Sequence, residues 1–389
     1  MTGKLVLTQM TLQLAINDMA YKVSFHKISL IALVPLLLHL SCSHSSVDGP
    51  KSDSDAVIGF STISQELDSR STGSTLISNL NVPGSEIAVY GFHGSELDYS
   101  GEIPVFETEG AKRVCYKSDG QGKSKWDYDY IGSDAASSGV DKVKWIRSDR
   151  YRFRAFYPYS LMSEVNNTSS AKVLQMRYSL MEHDSDLMVA YATRCPAEDP
   201  ESVGPVELKF MHALSALKFI IKKENTGEDE SVKEFYLTGL HQVGGLYYFA
   251  SDASDLKGKQ TIMWIPGEAD EDTFVHHWDS GDDVTKYKKI EAEGVSVYED
   301  KGDKDGFVFA IPMNGEYEGK KWVDPLPSIY AHFKTDKGGS VLHTAKLPDI
   351  PWEPGKKYIY TITVKHATVS VEVKIKPWTE VEASAEIKL

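Results

Sequence analysis

The sequence predicts an all-β protein built from β-sandwiches. Residues 369–375 place Val369, Val371, Val373 and Ile375 on one side and Ser370, Glu372 and Lys374 on the other, a period of two. Residues 358–364 (YIYTITV) are β-branched and aromatic, and a turn at WEPG precedes them. Many short stretches of this kind are separated by polar turns, and long helical periodicity is scarce. Residues 170–181 are the one ambiguous segment.

Taken in order, residues 1–18 carry no part of a targeting signal, and a translation start at Met19 would give an ordinary charged beginning, MAYKVSFHK. Lys22, His26 and Lys27 then precede an apolar run, 28–40, broken by Ser29, Pro35 and His39. As a helix this run spans about 20 Å, short of the ~30 Å hydrocarbon core, so it reads as a secretory signal and not a membrane span. The run ends at Leu40-Ser41-Cys42. Residues 43–55 (SHSSVDGPKSDSD) have no apolar period and read as a flexible tether.

Strand character resumes at 56–61 (AVIGFS), then at 86–90, 143–146 and 151–157. Residues 196–205 (PAEDPESVGP) interrupt it with three prolines and a glycine, which divides the body into 56–203 and 204–389. In the second part, 206–210, 217–221, 307–311, 329–333, 358–364 and 369–375 have the half-buried pattern of strands.

A net charge of −14 argues against nucleic acid, which is bound through clustered Lys and Arg. It equally argues against attraction to anionic lipid through a basic patch. Three cysteines, Cys42, Cys115 and Cys195, are too few for a disulfide scaffold and lack zinc spacing. Whether Cys115 and Cys195 pair is left open by the sequence.

Residues 119–124 (DGQGKS) end like a phosphate loop, but Lys117 stands where that motif needs its first glycine. In residues 300–306 (DKGDKDG), Lys301 occupies the first ligand position of a calcium loop and Pro312 the place of its bidentate Glu. Both read as surface turns. His276 and His277 are adjacent, so on a strand they face opposite sides. Glu182-His183-Asp184 with Asp186 is a polar cluster that suits a hydrogen-bonded loop better than a cation site. Neither GxSxG nor HExxH occurs. No catalytic residue, metal or cofactor is nominated.

Several pieces occur in one order: the cysteine after the signal, AVIGFS (56–61), SRSTG (69–73), GSEIAVYGF (84–92) and YRFRAFYPYS (151–160). They continue with SDLMVAYA (185–192), VELKFMHALSALKFII (206–221), WEPGKKYIYTITV (352–364) and VKIKPWTEVE (373–382). This ordered set resembles the fimbrillin-like lipoproteins of Bacteroidales bacteria over most of residues 56–382, least so between 240 and 320. The resemblance implies two transthyretin-like β-sandwich domains in tandem and attachment of lipid at Cys42, with residues 1–41 as extension and signal peptide and 42–55 as tether. His39 departs from the aliphatic residue that the lipidation pattern prefers.

The resemblance also implies assembly into a surface pilus. A protease cut after Arg70 would release the first strand, 57–62, and the C-terminal strand of another subunit, drawn here from 380–389 with Glu380, Val381, Ile387 and Leu389, would fill the groove. That is the physics of an open sheet edge accepting a strand. The alternatives at these residues are an ordinary loop arginine and a C-terminal strand that closes its own sheet. The dibasic pair Lys112-Arg113 is a second protease target.

The expected function is a structural pilus subunit at the outer membrane and cell surface that supports adhesion, with other pilus subunits as partners. The competing expectation is a lipid-anchored surface protein that binds glycan or a host ligand without polymerising; 20 Tyr and 7 Trp suit sugar stacking but are also ordinary strand residues. An enzyme has no positive signal.

Overall fold

The structure, a computed structural model, describes residues 56–64, 80–95, 102–106, 111–118, 124–128, 143–165, 173–183, 185–224, 229–250, 260–267, 269–270, 274–299, 306–313, 316–317, 320–321, 325–365 and 368–378. In chain order the strands of four or more residues begin with β1 (Phe60–Ser64), β2 (Glu86–Gly94), β3 (Lys112–Ser118), β4 (Ser124–Tyr128), β5 (Arg150–Tyr157) and β6 (Val173–Ser179). Next come β7 (Met188–Arg194), β8 (Val206–His212), β9 (Ser215–Lys223), β10 (Ser231–Thr238), β11 (Val243–Ala250) and β12 (Gln260–Pro266). The last are β13 (Val275–Asp279), β14 (Phe307–Ala310), β15 (Tyr330–Asp336), β16 (Ser340–Lys346), β17 (Lys356–Lys365) and β18 (Thr368–Pro377). Among the described residues the helices are short 3₁₀ turns, and none is long and apolar enough to cross a membrane. The all-β expectation holds.

The first sheet runs β1-β8-β7-β5-β2-β3-β4. Its central strands are buried on both faces: β2 (EIAVYGFHG) is apolar along most of its length, and β5 (RYRFRAFY) buries residues of its polar side as well. Alternation alone would send Arg152 and Arg154 to water, yet both are buried. Arg152 sits 3.2 Å from the Glu102 carboxylate. Arg154 lies over the rings of Tyr191 and Tyr248 and donates to the Tyr248 carbonyl at 3.2 Å. One face of this sheet meets a three-stranded sheet, β12-β11-β6, through Tyr90, Phe156, Met176, Tyr178, Leu246 and Trp264.

Residues 170–181, ambiguous as sequence, form strand β6 because β11 supplies a full antiparallel partner, Phe249 opposite Val173 through Val243 opposite Ser179. Residues 143–146 do not form the expected strand. Only a single bridge, Lys144 to Val57, is made there. The Tyr151 hydroxyl accepts from the Ile146 amide at 2.6 Å, and Asp149 N bonds the Ile146 carbonyl, so the chain turns directly into β5.

The second sandwich faces two sheets on each other. In one, β9 pairs in parallel with β17 and antiparallel with β14, and β18 extends the sheet beyond β17. In the other the order is β13-β10-β15-β16. Phe219, Tyr358 and Tyr360 meet Phe235, Leu237 and Phe333 between them, with Phe219 stacked on Tyr360 at 5.3 Å. Sheet hydrogen bonds join strands from both sides of residues 196–205, since β7 pairs with β8 and β6 with β11.

Candidate functional site

The site of interest is the edge occupied by β1. Its sequence, with the residues just before it, alternates Ile58, Phe60 and Thr62 with Gly59 and Ser61, and the first three are buried. Among the described residues β1 pairs, in parallel, with β8 alone, from Phe60 opposite Val206 to Ser64 opposite Phe210. Upstream, Ile58 N donates to the Val143 carbonyl at 2.8 Å, Trp145 N to Ala56 at 3.1 Å and Val206 N to Gly59 at 2.8 Å.

The side chains of β1 join the two ends of the first sheet. Phe60 lies edge-on to Tyr128 on β4 (6.1 Å between centroids) and to Phe153 on β5 (5.7 Å). The Thr62 hydroxyl donates to Asn81 Oδ1 at 2.7 Å, and the Trp126 indole N–H reaches both Thr62 Oγ1 (2.9 Å) and Asn81 Oδ1 (2.8 Å). The Tyr128 hydroxyl accepts from Val143 N at 3.2 Å, and burial pushes its pKa up to about 12, so it stays neutral. Phe60 belongs to a buried cluster that includes Val206, Leu208, Phe210, Trp145 and Phe153. Such an apolar slot beside a backbone edge offers ladder hydrogen bonds and alternate side-chain pockets to an extended strand. It contains no nucleophile or acid–base pair.

Towards the other end of the chain, β18 is, among the described residues, an edge strand paired only with β17. It runs into Trp378, which is buried, stacked on His212 at 3.9 Å and nearly parallel to Phe309 at 5.9 Å. His212 Nδ1 is 2.8 Å from the Asp186 carboxylate, and Trp378 N donates to the Gly355 carbonyl at 2.9 Å. Trp378 is therefore held beside the last residue of β8. Nothing in the sequence singled out Asn81, Trp126 or His212; their roles come from contacts at sequence separations of 19 to 64 residues for the first two and 26 for His212.

Cys42, Arg70, Glu380, Val381, Ile387 and Leu389 lie outside the described residues. Cys115 and Cys195 are free thiols, and burial pushes both thiol pKa values up. Lys112 and Arg113, the second dibasic candidate, sit in β3, where Arg113 pairs with Glu86. Of the polar cluster, Glu182 and His183 gather with Glu164, whereas Asp186 turns to His212 and Asp184 is outside the described residues. Arg177 bonds Glu182 at 2.8 Å and Glu164 at 3.3 Å, so a guanidinium already neutralises these carboxylates. His276 and His277 do point apart: His276 Nε2 donates to the Phe309 carbonyl at 2.6 Å, and His277 Nε2 reaches Glu234 at 3.1 Å.

The model of one protein family, described as fimbrillin-like, matches residues 95–378. The chain belongs to the fimbrillin-like family. This fimbrillin-like chain is also similar to a fimbrial protein from Bacteroides vulgatus, at 14% identity and TM-score 0.48, with 83% of this chain and 99% of the other covered. A candidate cell adhesion protein from Bacteroides uniformis gives 16% identity and TM-score 0.41 over 83% and 98%. The tip fimbrial protein Mfa3 from Porphyromonas gingivalis gives 11% and 0.31 over 79% and 97%. No curated protein matches the sequence. Membership in the fimbrillin-like family places the chain at the cell surface as a pilus subunit or adhesin, working with other subunits and not as an enzyme.

Proposed function

We propose that this fimbrillin-like chain is exported to the outer membrane as a lipoprotein on Cys42 and assembles by strand exchange after cleavage at Arg70. The observation that carries this reading is β1, a short edge strand whose Ile58, Phe60 and Thr62 fill a slot in the first sheet. It precedes Arg70 in the chain, so a cut there frees residues 42–70, and the lipid leaves with β1. Cleavage severs β1 from the body, and what then retains it is its ladder on β8, the bonds of residues 56–59 and the packing of three side chains.

Its departure would leave the β8 edge unpaired and the pocket of Phe60 open to water, an arrangement that favours a replacement strand. Residues 380–389 suit that role: Val381, Ala383, Ala385, Ile387 and Leu389 alternate with Glu382, Ser384, Glu386 and Lys388. The two acyl chains of a diacylglycerol at Cys42 suffice for stable attachment during export, without a basic patch.

The test replaces Arg70 with Ala and follows polymer ladders on gels after protease treatment. Loss of the ladder is expected; an unchanged ladder rejects this activation site. Metabolic labelling with a fatty acid tests the anchor, since Cys42→Ser is expected to abolish the label, and a label that persists rejects Cys42.

A further inference from the structure

The outward face of the sheet β13-β10-β15-β16 carries a cluster of rings that the assembly reading does not use. Tyr236 on β10 packs against Phe274 at 4.2 Å and lies nearly parallel to His332 on β15 at 4.8 Å. His277 on β13 stands edge-on to Tyr236 at 5.8 Å and lies 6.1 Å from Phe274. Phe274 is 50% exposed, a large fraction for a phenylalanine inside a ring cluster. Beside the rings, Glu234 on β10 accepts from His277 at 3.1 Å, pairs with Lys334 on β15, and faces Asp279 across the ladder.

A backbone irregularity builds this corner. Trp278 opposes Phe235 and Val275 opposes Leu237, so His276 and His277 together oppose the single residue Tyr236. His276 takes φ 53°, a left-handed conformation uncommon outside glycine. The bulge turns His276 inward to the Phe309 carbonyl and leaves His277 on the outward side, next to Phe274 and Glu234. On the far side of Tyr236, His332 is fixed between Thr238 Oγ1 at 3.0 Å and Thr344 Oγ1 at 3.2 Å. Partial burial pushes its pKa down, which favours the neutral imidazole.

We infer that this face is a carbohydrate-binding site for neutral hexopyranose units, with the exposed ring of Phe274 as the stacking surface and His277, Glu234, Asp279 and Lys334 as partners for sugar hydroxyls. A pyranose has one apolar C–H face and a rim of hydroxyls, and this corner offers an aromatic face beside oriented donors and acceptors within one sheet. A few placed polar groups around an aromatic surface are the general form of a small-ligand site. Charge chooses among glycans: carboxylates line the rim, and the chain as a whole carries −14, which repels sialylated or sulfated chains. A protein partner would bury mainly aliphatic and aromatic surface at such a patch, whereas the charged residues beside Phe274 suit hydroxyl groups better. This inference does not depend on strand exchange, because the cluster lies on β10, β13 and β15, in a different sheet from β1 and β8.

The test uses the full, uncut chain on an array of neutral glucose, galactose and mannose oligosaccharides together with sialylated and sulfated glycans. Binding to members of the neutral set is expected. In calorimetric titration with the oligosaccharide that binds best, Phe274→Ala is expected to weaken affinity by about tenfold or more. Because Phe274 is half exposed, its replacement should barely move the melting temperature. Tyr236→Ala and His277→Ala serve as second and third variants. Three results would overturn the inference: no neutral glycan bound above an unrelated β-sandwich control, affinity unchanged in both Phe274→Ala and Tyr236→Ala, or preference for acidic glycans. Loss of polymer ladders in Phe274→Ala without any glycan binding would assign the face to subunit packing and equally overturn it.

Discussion

Replacing Phe60 with Ala should destabilise the uncut protein strongly and the cut protein hardly at all. The side chain is 6% exposed and lies edge-on to Tyr128 and Phe153. Truncating a buried phenylalanine costs about 3–5 kcal/mol through lost transfer energy and the cavity left behind. The two ring contacts, each worth about 0.5–1.5 kcal/mol, put this site in the upper half of that range. With about 4 kcal/mol lost, the melting temperature of a unit of this size falls on the order of 10 °C. Differential scanning calorimetry of wild type and Phe60→Ala, before and after cleavage at Arg70, measures the difference twice. If β1 departs with residues 42–70, the two cut proteins have the same sequence and the same stability. An uncut variant within about 1 kcal/mol of wild type would refute the packing argument. A difference that survives cleavage in full would refute the departure of β1.

Glu102→Ala removes the carboxylate 3.2 Å from the buried Arg152 guanidinium and should lower stability in urea titration by about 3–5 kcal/mol, more than replacing the surface partner Glu198 of Arg150. Trp378→Ala empties the stack on His212 and Phe309, so a loss of about 3–5 kcal/mol is expected by the same measurement; a loss below about 1 kcal/mol would show that the root of the C-terminal segment is not fixed there. Burial pushes the His276 imidazole down to about 4, below its ordinary 6.5, so the folded state binds fewer protons than the unfolded chain between these values. Its contribution is complete above pH 6.5 and is lost as pH falls toward 4, on the order of 3 kcal/mol in total. His276→Asn, which suits a left-handed backbone, should flatten the fall in urea midpoint across that window; an identical pH profile would contradict the buried imidazole.

Strands that keep one face in water are legible in the sequence alone. In β18, Val369, Val371 and Val373 alternate with exposed Ser370, Glu372 and Lys374, because a half-buried ladder imposes a period of two. Where both faces are covered that signal fails. Arg152 and Arg154 look like water-facing residues of β5, and only their neighbours in the fold, Glu102, Tyr191 on β7 and Tyr248 on β11, explain their burial. At the edges it fails for the opposite reason: β16 (SVLHTAK) is mostly exposed, Val341 and Leu342 included, so no clean alternation marks it although seven residue pairs join it to β15. The removable-strand candidate was legible as AVIGFS, but its slot was not, since Trp126, Asn81 and Phe153 reach it from three separate parts of the chain.

The sequence by itself determined the strand-rich class, the acidic net charge, the ordered motifs of the fimbrillin-like family and the cysteine that ends an apolar run. These are properties of local composition and period, fixed by which residues tolerate a pleated, half-buried backbone. Tertiary structure decided that β1 closes an edge on β8 in parallel, that Trp378 is pinned over His212, and that a bulge at His276 sets His277 beside Phe274 and Tyr236. Each depends on strands distant in sequence becoming neighbours: the alternation of a strand fixes which face it buries, but with no tight turn between two strands nothing local says which edges meet.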